Sequence, residues 1–591
     1  MPSHDDIHDV AGRAASLDAA LAGVFAELGV EGPPAAAELG VPSRREHGDL
    51  TTNAALVNAK RAGRPPREIA QALGERWCAG AGAGSCARFE VAGPGFLNLF
   101  LTDAWHRGAL ARMLAAGSAY GRGALPVERR QKVNIEFVSV NPTGPLHVGH
   151  ARYASYGDAL CRIFAYAGHD VTREFYVNDA GTQMLRFGQS LAARYAQRLG
   201  ADVAVPDDGY QGEYVLELAD EFIAEAGERY LEAVAGAPDA LSLPADVVAA
   251  FKTWGRDAVL ELFRATLGRL RVPFDVWAHE SGLYAGGEPY RGFAGEVGKA
   301  LADLDAEDLL YEHEGAVWLK TTRFGDDKDR VLIRSSGEAT YFLSDIAYHR
   351  DKMDRGFEHM IDIWGADHHG YVPRMKAAFT ALPPHRPERL ELIIGQLVNL
   401  LEGGAAKRMS KRRGDIVTVD DLVEAIGVDA ARFLLVGRSQ DTTLELDLDL
   451  AVEQSSQNPV YYVQYAHARI CSVLRTLVER GGEGAVALVD EVATGARGLP
   501  DVVVGPEERD LIHTLARFPD VVLAAVEHRA PHRVHTYLGE LAAGFHVFYR
   551  QCRVIVDDPE VSAFRVGLCR ASQRILATGL DLLGVSAPEQ M

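Results

Sequence analysis

The feature that most constrains this chain is the segment 132–168, in which a strand, a short loop and a helix follow one another. Val133-Asn-Ile-Glu-Phe-Val-Ser-Val140 is rich in β-branched and apolar residues and predicts a buried strand. A Pro/Gly loop occupies 141–145, and apolar spacing predicts a helix from about 148 to 167, which Gly168 ends. This order of elements indicates an α/β domain.

The loop and the start of the helix carry the first motif, Asn141-Pro-Thr-Gly-Pro-Leu-His-Val-Gly-His150. A helix N-terminus presents N–H groups and a positive dipole end to phosphates. Gly149 lacks the side chain that would hold a nucleotide away from the backbone, and His147 and His150 can donate hydrogen bonds to phosphate oxygens. Two surface histidines are the simpler explanation of a bare His-x-Gly-His, but the strand, loop and helix around this one favour phosphate binding.

The second motif is the basic run Lys407-Arg-Met-Ser-Lys-Arg-Arg413, which follows Gly403-Gly404 and precedes Gly414. Most charge runs of this kind are solvated loops. A Lys/Arg loop in an acidic chain would also suit a departing pyrophosphate, because lysine supplies a flexible point charge. The second motif alone leaves both interpretations open.

The length of 591 residues suggests roughly three to five domains, and the patterns along the chain divide it into three parts. The first, 1–125, combines helical spacing around Leu17–Leu28 with a Pro/Gly-punctuated stretch and an Ala/Gly loop at 79–84. The second, 126–449, has the α/β pattern and both motifs. The third, 450–591, is predicted to be helical, with apolar spacing at positions such as Leu538, Leu541, Phe545 and Phe548.

Charge and cysteine content narrow the partners and the compartment. A formal net charge of −21 argues against indiscriminate nucleic-acid binding but permits a local basic groove. Six cysteines without a C-x-x-C pair suggest neither a zinc site nor a disulfide framework, which favours a reducing cytosol. Asp5, Asp6 and Asp9 stand where a secretory signal needs positive charge, and no apolar run approaches the ~20 residues of a membrane span.

Together the two motifs resemble the H-I-G-H and K-M-S-K-S signatures of class I aminoacyl-tRNA synthetases, in the same order. Arg408 replaces the first lysine of the second signature and Arg412 replaces the final serine, whereas Lys411 matches. The resemblance narrows to arginyl-tRNA synthetases through further segments, which are 47–53 (HGDLTTN), 92–98 (AGPGFLN), 176–183 (YVNDAGTQ), 210–214 (YQGEY), 458–467 (NPVYYVQYAH) and the C-terminal LGVSAPEQM.

This resemblance implies a multi-domain α/β fold with a Rossmann-like parallel-sheet catalytic domain. It further implies an N-terminal α+β domain that grips the tRNA elbow and an all-α C-terminal domain that binds the anticodon. The expected partners are ATP, Mg²⁺, L-arginine and arginine tRNA, with no DNA, membrane or protein-bound zinc. The expected enzyme is a cytoplasmic monomer that forms arginyl-adenylate and then esterifies the 3′-terminal adenosine of the tRNA.

The resemblance also assigns site residues. It gives the catalytic roles to His147, His150 and Lys411. Arginine would be bound by Glu136 and Asn141 at its α-amino end and by Tyr341 and Asp345 at its guanidinium, and Asp345 follows Tyr341 by one helical turn. The other expected contacts are His368 for arginine, then Gly144, His147, Gly149, His150, Gly365, Asp367, Met409, Ser410 and Lys411 for ATP, and Tyr461, Tyr462, Tyr465 and His467 for tRNA.

Several alternatives remain open from the residues alone. His368 stands where some members of the family carry Gln, and a metal site at His368-His369 has no third ligand at a recognisable spacing. A small-molecule adenylyltransferase also uses His-x-Gly-His, but it has little use for some 140 helical residues after the second motif. A tRNA-binding paralogue without activity would be expected to have lost His147, His150 or Lys411.

Overall fold

In the computed structural model the described residues are 10–36, 39–42, 44–406, 418–494 and 498–591. The N-terminal part packs helices against a four-stranded antiparallel sheet of order β1-β2-β4-β3. Trp77 and Trp105 are fully buried in its core. Its elements are α1 (Val10–Glu27), β1 (Leu39–Gly40), β2 (Leu50–Thr52), α2 (Ala54–Ala62), α3 (Pro66–Ala79), β3 (Cys86–Ala92), β4 (Phe96–Leu101) and α4 (Asp103–Ala116).

The central part is built on a five-stranded parallel sheet of order β12-β11-β5-β6-β7. Its elements are β5 (Lys132–Glu136), α5 (Val148–Ala167), β6 (Asp170–Val177), α6 (Gly181–Arg198), α7 (Glu213–Ala226), α8 (Leu231–Ala235), α9 (Ala245–Arg269), β7 (Val276–His279), α10 (Gly295–Ala306), β8 (Leu310–His313), β9 (Ala316–Leu319), β10 (Arg330–Ile333), α11 (Tyr341–Asp354), β11 (His359–Gly365), α12 (Val372–Ala381), β12 (Leu390–Gly395), β13 (Val398–Glu402), β14 (Ala405–Ala406), α13 (Val419–Ile426), α14 (Val428–Leu435), β15 (Leu444–Asp447) and α15 (Leu448–Val452).

The strand order reverses between β5 and β11. From β5 the chain adds β6 and β7 on one side of the sheet, and it later adds β11 and β12 on the other side. In an open parallel sheet the loops that leave the carboxyl ends of two such strands diverge and form a crevice where ligands bind. The first motif follows β5, and residues 365–371 follow β11, so the topology directs both toward the same crevice.

The predicted strand and helix of the first motif are found with one difference. Helix α5 spans Val148–Ala167 and ends at Gly168, whose φ of 119° lies in the left-handed region, as predicted. Strand β5 ends at Glu136 rather than at residue 140, because Val138 and Ser139 have φ of 71° and 33° and turn the chain out of the sheet. This turn carries the first motif across the strand ends.

In the C-terminal part, the regular elements that the structure describes after α15 are all helices. Its helices are α16 (Pro459–Thr494), α17 (Pro506–Ala516), α18 (Phe518–Glu527), α19 (His532–Gln551) and α20 (Pro559–Leu582). The predicted apolar face of α19 is fully buried at Leu538, Leu541, Phe545 and Phe548. The predicted fold class, a multi-domain α/β chain with a parallel catalytic sheet and an all-α C-terminal domain, is confirmed.

One expectation from the cysteines was wrong. Cys78, at the end of α3, and Cys86, at the start of β3, form a disulfide, although their spacing suggested no such pair. The loop 80–85 brings the two Cα atoms to 5.4 Å, a proximity that depends on how α3 packs on β3 and leaves no spacing signal. The other four cysteines are buried thiols.

Among the described helices, none combines the length and the apolar character needed to cross a membrane.

Candidate active site

His147 and His150 cap the start of α5 with their own rings. The backbone N–H of Gly149 donates to Nδ1 of His147 over 3.1 Å, and the N–H of His147 donates to Nδ1 of His150 over 3.1 Å. The two rings stack with centroids 3.6 Å apart. Since each Nδ1 accepts a hydrogen bond, each neutral ring carries its proton on Nε2. Both histidines therefore have an Nε2–H that can serve as a donor.

Gly144 lies where a neighbouring segment touches the first motif. A Cβ at this position would lie 2.9 Å from the ring of Tyr214, and the Tyr214 hydroxyl donates to the carbonyl of Thr143 over 2.6 Å. Tyr214 belongs to the segment 210–214 that carried part of the family resemblance. The structure thus gives Gly144 a packing role in addition to the ATP contact that was predicted for it.

The chain returns to the first motif directly after the second. Thr418 pairs with His147 in an isolated β-bridge, and the N–H of Val419 donates to the carbonyl of Leu146 over 2.9 Å. The second motif, with the predicted residues Met409, Ser410 and Lys411, lies outside the described residues. Thr418, the first described residue after it, lies beside His147.

Asp345, the predicted guanidinium contact, lies inside α11, one turn after its start. Its Oδ2 accepts a hydrogen bond of 2.6 Å from the hydroxyl of Tyr371, which follows β11. Burial raises the pKa of Asp345, although the Tyr371 hydroxyl opposes the shift. Tyr371 was not among the predicted site residues, because its contact with Asp345 spans 26 positions and depends on the tertiary fold.

Tyr341 begins α11, one turn before Asp345, and 49% of it is exposed. A Cβ at Gly181 would lie 2.2 Å from the Tyr341 hydroxyl oxygen, so this hydroxyl rests against the backbone at the start of α6. The structure thus brings the two predicted guanidinium contacts, Tyr341 and Asp345, to one face of one helix.

Glu280 is a second acid beside Asp345 that sequence reasoning missed. It follows β7 and is only 2% exposed, and among the described residues its Oε2 has no hydrogen-bond partner. Burial raises the pKa of Glu280 to about 7, with Ser344 opposing and Asp345 adding to the shift. A buried carboxylate with a raised pKa in a crevice marks a candidate ligand contact. Its only sequence signal is its place at the carboxyl end of a strand.

Glu136, at the carboxyl end of β5, belongs to a buried charge network. Lys352 Nζ donates to Oε2 of Glu136 over 2.6 Å and to Oδ1 of Asp362 over 2.8 Å, and His349 Nε2 lies 2.7 Å from Oδ2 of Asp362. Burial alone would raise the pKa of Asp362, but Lys352 and His349 outweigh it and lower this pKa to about 2. The His349 Nδ1 contacts the backbone carbonyl oxygen of Asp345 over 2.7 Å, which links the network to the helix turn that carries Asp345. Half-buried Asn141 follows the turn at the end of β5.

The predicted residues 365, 367 and 368 stand at and just after the carboxyl end of β11. Gly365 ends β11, and a Cβ there would lie 2.6 Å from Oδ1 of Asp367. The side chains of Asp367 and His368 are 82% and 56% exposed, with Nε2 of His368 and Oδ2 of Asp367 separated by 3.5 Å. Both side chains are therefore accessible to a ligand.

The four predicted tRNA contacts differ in exposure. Tyr461, Tyr462 and Tyr465 are half-buried on α16, and the rings of Tyr461 and Tyr465 stack with centroids 6.0 Å apart. His467 is buried, and its Nδ1 contacts the carbonyl oxygen of Pro588 over 2.8 Å. That position favours a structural role for His467 in holding the C-terminal tail.

A parallel sheet whose switch point carries a histidine-capped helix start defines the class of protein. The sequence model described as "tRNA synthetases class I (R), catalytic domain" matches residues 110–472. Two others match the flanking parts, "Arginyl tRNA synthetase N terminal domain" at 14–101 and "DALR anticodon binding domain" at 463–591. The class is that of class I aminoacyl-tRNA synthetases.

Individual relatives narrow the class to one family. The arginine–tRNA ligase of Syntrophotalea carbinolica is 46% identical over 558 residues, and that of Geobacillus kaustophilus is 45% identical over 561 residues, each match covering 94% of both chains. The solved Thermus thermophilus arginyl-tRNA synthetase superposes with a TM-score of 0.71 at 25% identity, covering 98% of this chain and 100% of that one. The chain belongs to the arginyl-tRNA synthetase family.

Proposed function

We propose that this enzyme activates L-arginine with ATP and transfers it to the 3′-terminal adenosine of arginine tRNA. The main support for this proposal is a crevice with two chemically different sides at the ends of β5 and β11. One side offers the Nε2–H groups of His147 and His150 and a helix N-terminus, which suit phosphates. The other side is the acidic pocket of Asp345 and Glu280, which suits a cation.

The acidic pocket would select the arginine side chain. A guanidinium is a planar cation with donors in a fork, and it is bound best by carboxylates on more than one side. Asp345, held by Tyr371, would accept from one edge, and the buried Oε2 of Glu280 would accept from another. Tyr341 would cover the site from the start of α11. The arginine contact predicted for His368 is supported by its exposed position just after the carboxyl end of β11.

Glu136 and Asn141 would bind the α-amino end of arginine, as predicted. Glu136 lies at the carboxyl end of β5, where β5 pairs with β11 and where the first motif follows the strand. Lys352 holds the Glu136 carboxylate in place from beneath the sheet end. An arginine placed between Asp345 and Glu136 would direct its carboxylate toward the helix start of α5, where ATP is expected.

In the first step an oxygen of the arginine carboxylate attacks the α-phosphorus of ATP, and pyrophosphate leaves. Catalysis of this step needs positioning and donors aimed at the charge that develops on the phosphates. His147, His150 and Lys411 would supply those donors. Gly144, Gly149, Gly365, Asp367, Met409 and Ser410 would contact the nucleotide.

Magnesium would enter with ATP and neutralise phosphate charge. Mg²⁺ takes oxygen ligands and binds through one or two carboxylates together with substrate phosphates. The exposed carboxylate of Asp367 at the end of β11 fits this requirement.

In the second step the 2′-hydroxyl of the terminal adenosine attacks the mixed anhydride and AMP leaves.

The predicted parts then have separate roles. Residues 1–125 would grip the tRNA elbow, 126–449 would carry the chemistry, and 450–591 would bind the anticodon, where the half-buried Tyr461, Tyr462 and Tyr465 offer rings for stacking. We also propose a cytoplasmic monomer, in keeping with the resemblance to the family. Gel filtration with light scattering tests the monomer, and fractionation of cells tests the location.

Amino-acid-dependent exchange of pyrophosphate into ATP tests the proposed function. The assay should be run with each of the twenty amino acids, with and without arginine tRNA. We expect exchange with arginine alone, and a requirement for tRNA, which is usual in the family. Exchange with another amino acid, or none with arginine and tRNA present, would contradict the proposal.

A further inference from the structure

Three metal-ligating side chains meet where the N-terminal part packs on the C-terminal helices. Asp49 precedes β2, His106 lies on α4 and His513 lies on α17. His106 is fully buried, the side chain of His513 is 9% exposed, and that of Asp49 is 12% exposed. None of the three belongs to the catalytic crevice.

The ligand atoms have the spacing that a small cation requires. Nε2 of His106 and Nε2 of His513 are 3.1 Å apart, Nε2 of His513 and Oδ1 of Asp49 are 3.0 Å apart, and Nε2 of His106 and Oδ1 of Asp49 are 3.8 Å apart. Ligands at about 2.0–2.1 Å from a tetrahedral Zn²⁺ are separated from one another by about 3.3 Å. An ion about 2 Å from all three atoms therefore fits without moving a side chain.

The other polar atoms of two ligands are already held by the backbone. Nδ1 of His106 contacts the carbonyl oxygen of Thr102 over 2.8 Å, so Nδ1 carries the proton and the Nε2 lone pair faces the cluster. Oδ2 of Asp49 accepts from the N–H of Leu101 over 2.6 Å, which leaves Oδ1 directed at the histidines. Metal-bound histidines almost always donate their second N–H to a carbonyl or carboxylate in this way.

The cluster borders a cavity of about 850 Å³ between the two parts of the chain, which is lined by Asp49 and His513 among others. Three protein ligands and an open side are typical of a zinc site that keeps one position for water or another small ligand. The ring of Trp105 stacks on His513, with centroids 5.4 Å apart, and helps to fix the plane of that imidazole.

We propose that Asp49, His106 and His513 form a Zn²⁺ site that fastens the N-terminal part of the chain to its C-terminal helices, with the fourth position facing the cavity. Two neutral imidazoles and one carboxylate are ligands that zinc accepts readily. The site contains no cysteine, and its ligands stand at positions 49, 106 and 513, so no motif spacing indicates it. The cysteine pattern, which predicted no zinc, does not bear on such a site.

The ion would add to a docking surface that the chain already has. Arg107 donates to the carbonyl of Val502 over 2.7 Å, and Arg509 donates to Asp103 over 2.6 Å, both across the same boundary. Zinc would bind the docked arrangement and not the separated one, so it would stabilise docking by mass action. It would thereby fix the spacing between the two parts that we assign to the elbow and the anticodon of the tRNA.

The test uses the untagged full-length enzyme, stripped with a chelator and then titrated with Zn²⁺ in a calorimeter without ATP. We expect about one Zn²⁺ per chain, together with a rise in the temperature of thermal unfolding. Cobalt should give the visible absorption of a four-coordinate nitrogen and oxygen site. His106→Gln and His513→Gln should each weaken Zn²⁺ binding by about 100-fold or more, since even the loss of an outer hydrogen bond costs up to that factor.

His535→Gln is the control, because His535 is a half-buried histidine of α19 outside the cluster. It should bind Zn²⁺ like the parent. If a cluster variant fails to fold, the measurement on the parent enzyme still tests the proposal. A parent enzyme without a Zn²⁺ site would show no rise in its unfolding temperature when Zn²⁺ is added. Parent binding no tighter than that of the double variant His106→Gln/His513→Gln would show that the three residues form only a hydrogen-bonded triad. Arginine-dependent exchange is scored separately, so this result does not depend on the proposed function.

Discussion

The hydroxyl of Tyr371 donates a hydrogen bond to Oδ2 of Asp345 across 2.6 Å, joining the segment after β11 to the middle of α11. This contact opposes the effect of burial on the pKa of Asp345. In Tyr371→Phe the pKa of Asp345 should therefore rise further. We expect the arginine KM to rise about tenfold, as for loss of one hydrogen bond to a charged group.

The increase in KM for Tyr371→Phe should become larger as pH falls, because the raised pKa leaves less ionised Asp345 at low pH. The KM for ATP should not change. Tyr311→Phe is the matched control, since the Tyr311 hydroxyl donates to Asp329 away from the crevice. A pH-independent loss of kcat in Tyr371→Phe would indicate a general structural defect instead.

Asp345→Asn should raise the arginine KM at least tenfold, because a charge-assisted hydrogen bond to a guanidinium contributes ~1.5–3 kcal/mol. Affinity for ATP should change little. Asp354→Asn on the same helix is the control, since Asp354 pairs with Arg350 at the exposed end of α11. Steady-state kinetics of pyrophosphate exchange measure the arginine KM. A KM equal to that of the parent would show that Asp345 does not bind arginine.

Glu280 should make arginine binding depend on pH. Its pKa of about 7 means that the carboxylate ionises as pH rises from 6 to 8, while the guanidinium stays charged. The arginine KM should therefore be about tenfold higher at pH 6 than at pH 8. Glu280→Gln should flatten this dependence, and an unchanged profile in that variant would exclude Glu280 from the guanidinium site.

Stability gives an independent check on Glu280. Its pKa in the folded enzyme is raised above the usual 4.5, so the folded state holds this proton more strongly than the unfolded state does. The stability that Glu280 contributes is therefore lost as pH rises from about 4.5 to 7. Relative to the parent, Glu280→Gln should become more stable across this window, as followed by denaturant unfolding at several pH values.

His147→Asn separates the capping role of His147 from its catalytic role. Asparagine also caps helices well, so α5 and the unfolding temperature should be preserved. Loss of the Nε2–H should lower kcat for adenylate formation by ~10²–10³, the usual cost of removing one donor to the transition state. His313→Asn, at the exposed end of β8, is the control. If the variant forms adenylate at the parent rate in a single turnover, His147 has only its structural role as a helix cap.

Lys411→Ala should lower the rate of adenylate formation by ~10²–10³ with little change in ground-state binding, if this lysine meets charge that develops as pyrophosphate leaves. Arg408, Arg412 and Arg413 complicate the test, because they carry charge in the same run. Salt separates the roles, since a contact with the tRNA backbone gives tRNA affinity a steeper dependence on ionic strength.

The measurement for Lys411→Ala is single-turnover adenylate formation beside tRNA Kd at two salt concentrations, with Lys299→Ala of α10 as the control. Adenylate formed at the parent rate, with weak tRNA binding, would mean that the second motif serves the tRNA instead.

Local sequence signals predicted the parts of the fold that local chemistry decides. Helix α5 was placed at its observed ends because apolar periodicity and Gly168 mark them. Strand β5 was made too long, since nothing in a run of β-branched residues shows that Val138 and Ser139 adopt positive φ. A contact with the neighbouring strand β6 stabilises this turn, because the Ser139 Oγ accepts a hydrogen bond from the N–H of Tyr176.

In the site, too, the contacts set by local spacing could be predicted and those set by the tertiary fold could not. Tyr341 and Asp345 are one helical turn apart, so their common face follows from spacing alone. Tyr371 and Glu280 approach Asp345 from two other elements, and Cys78 reaches Cys86 through the packing of a helix on a strand. Such meetings depend on the tertiary fold, which no single stretch of sequence encodes.

The bridge between His147 and Thr418 has a consequence for the chemistry of the second motif. Lys411 lies seven residues before Thr418, and seven residues of fully extended chain span at most about 25 Å. If Lys411 acts on the phosphates as we propose, it does so as a group of the same chain as His147, so the rate of adenylate formation per enzyme should not depend on the enzyme concentration.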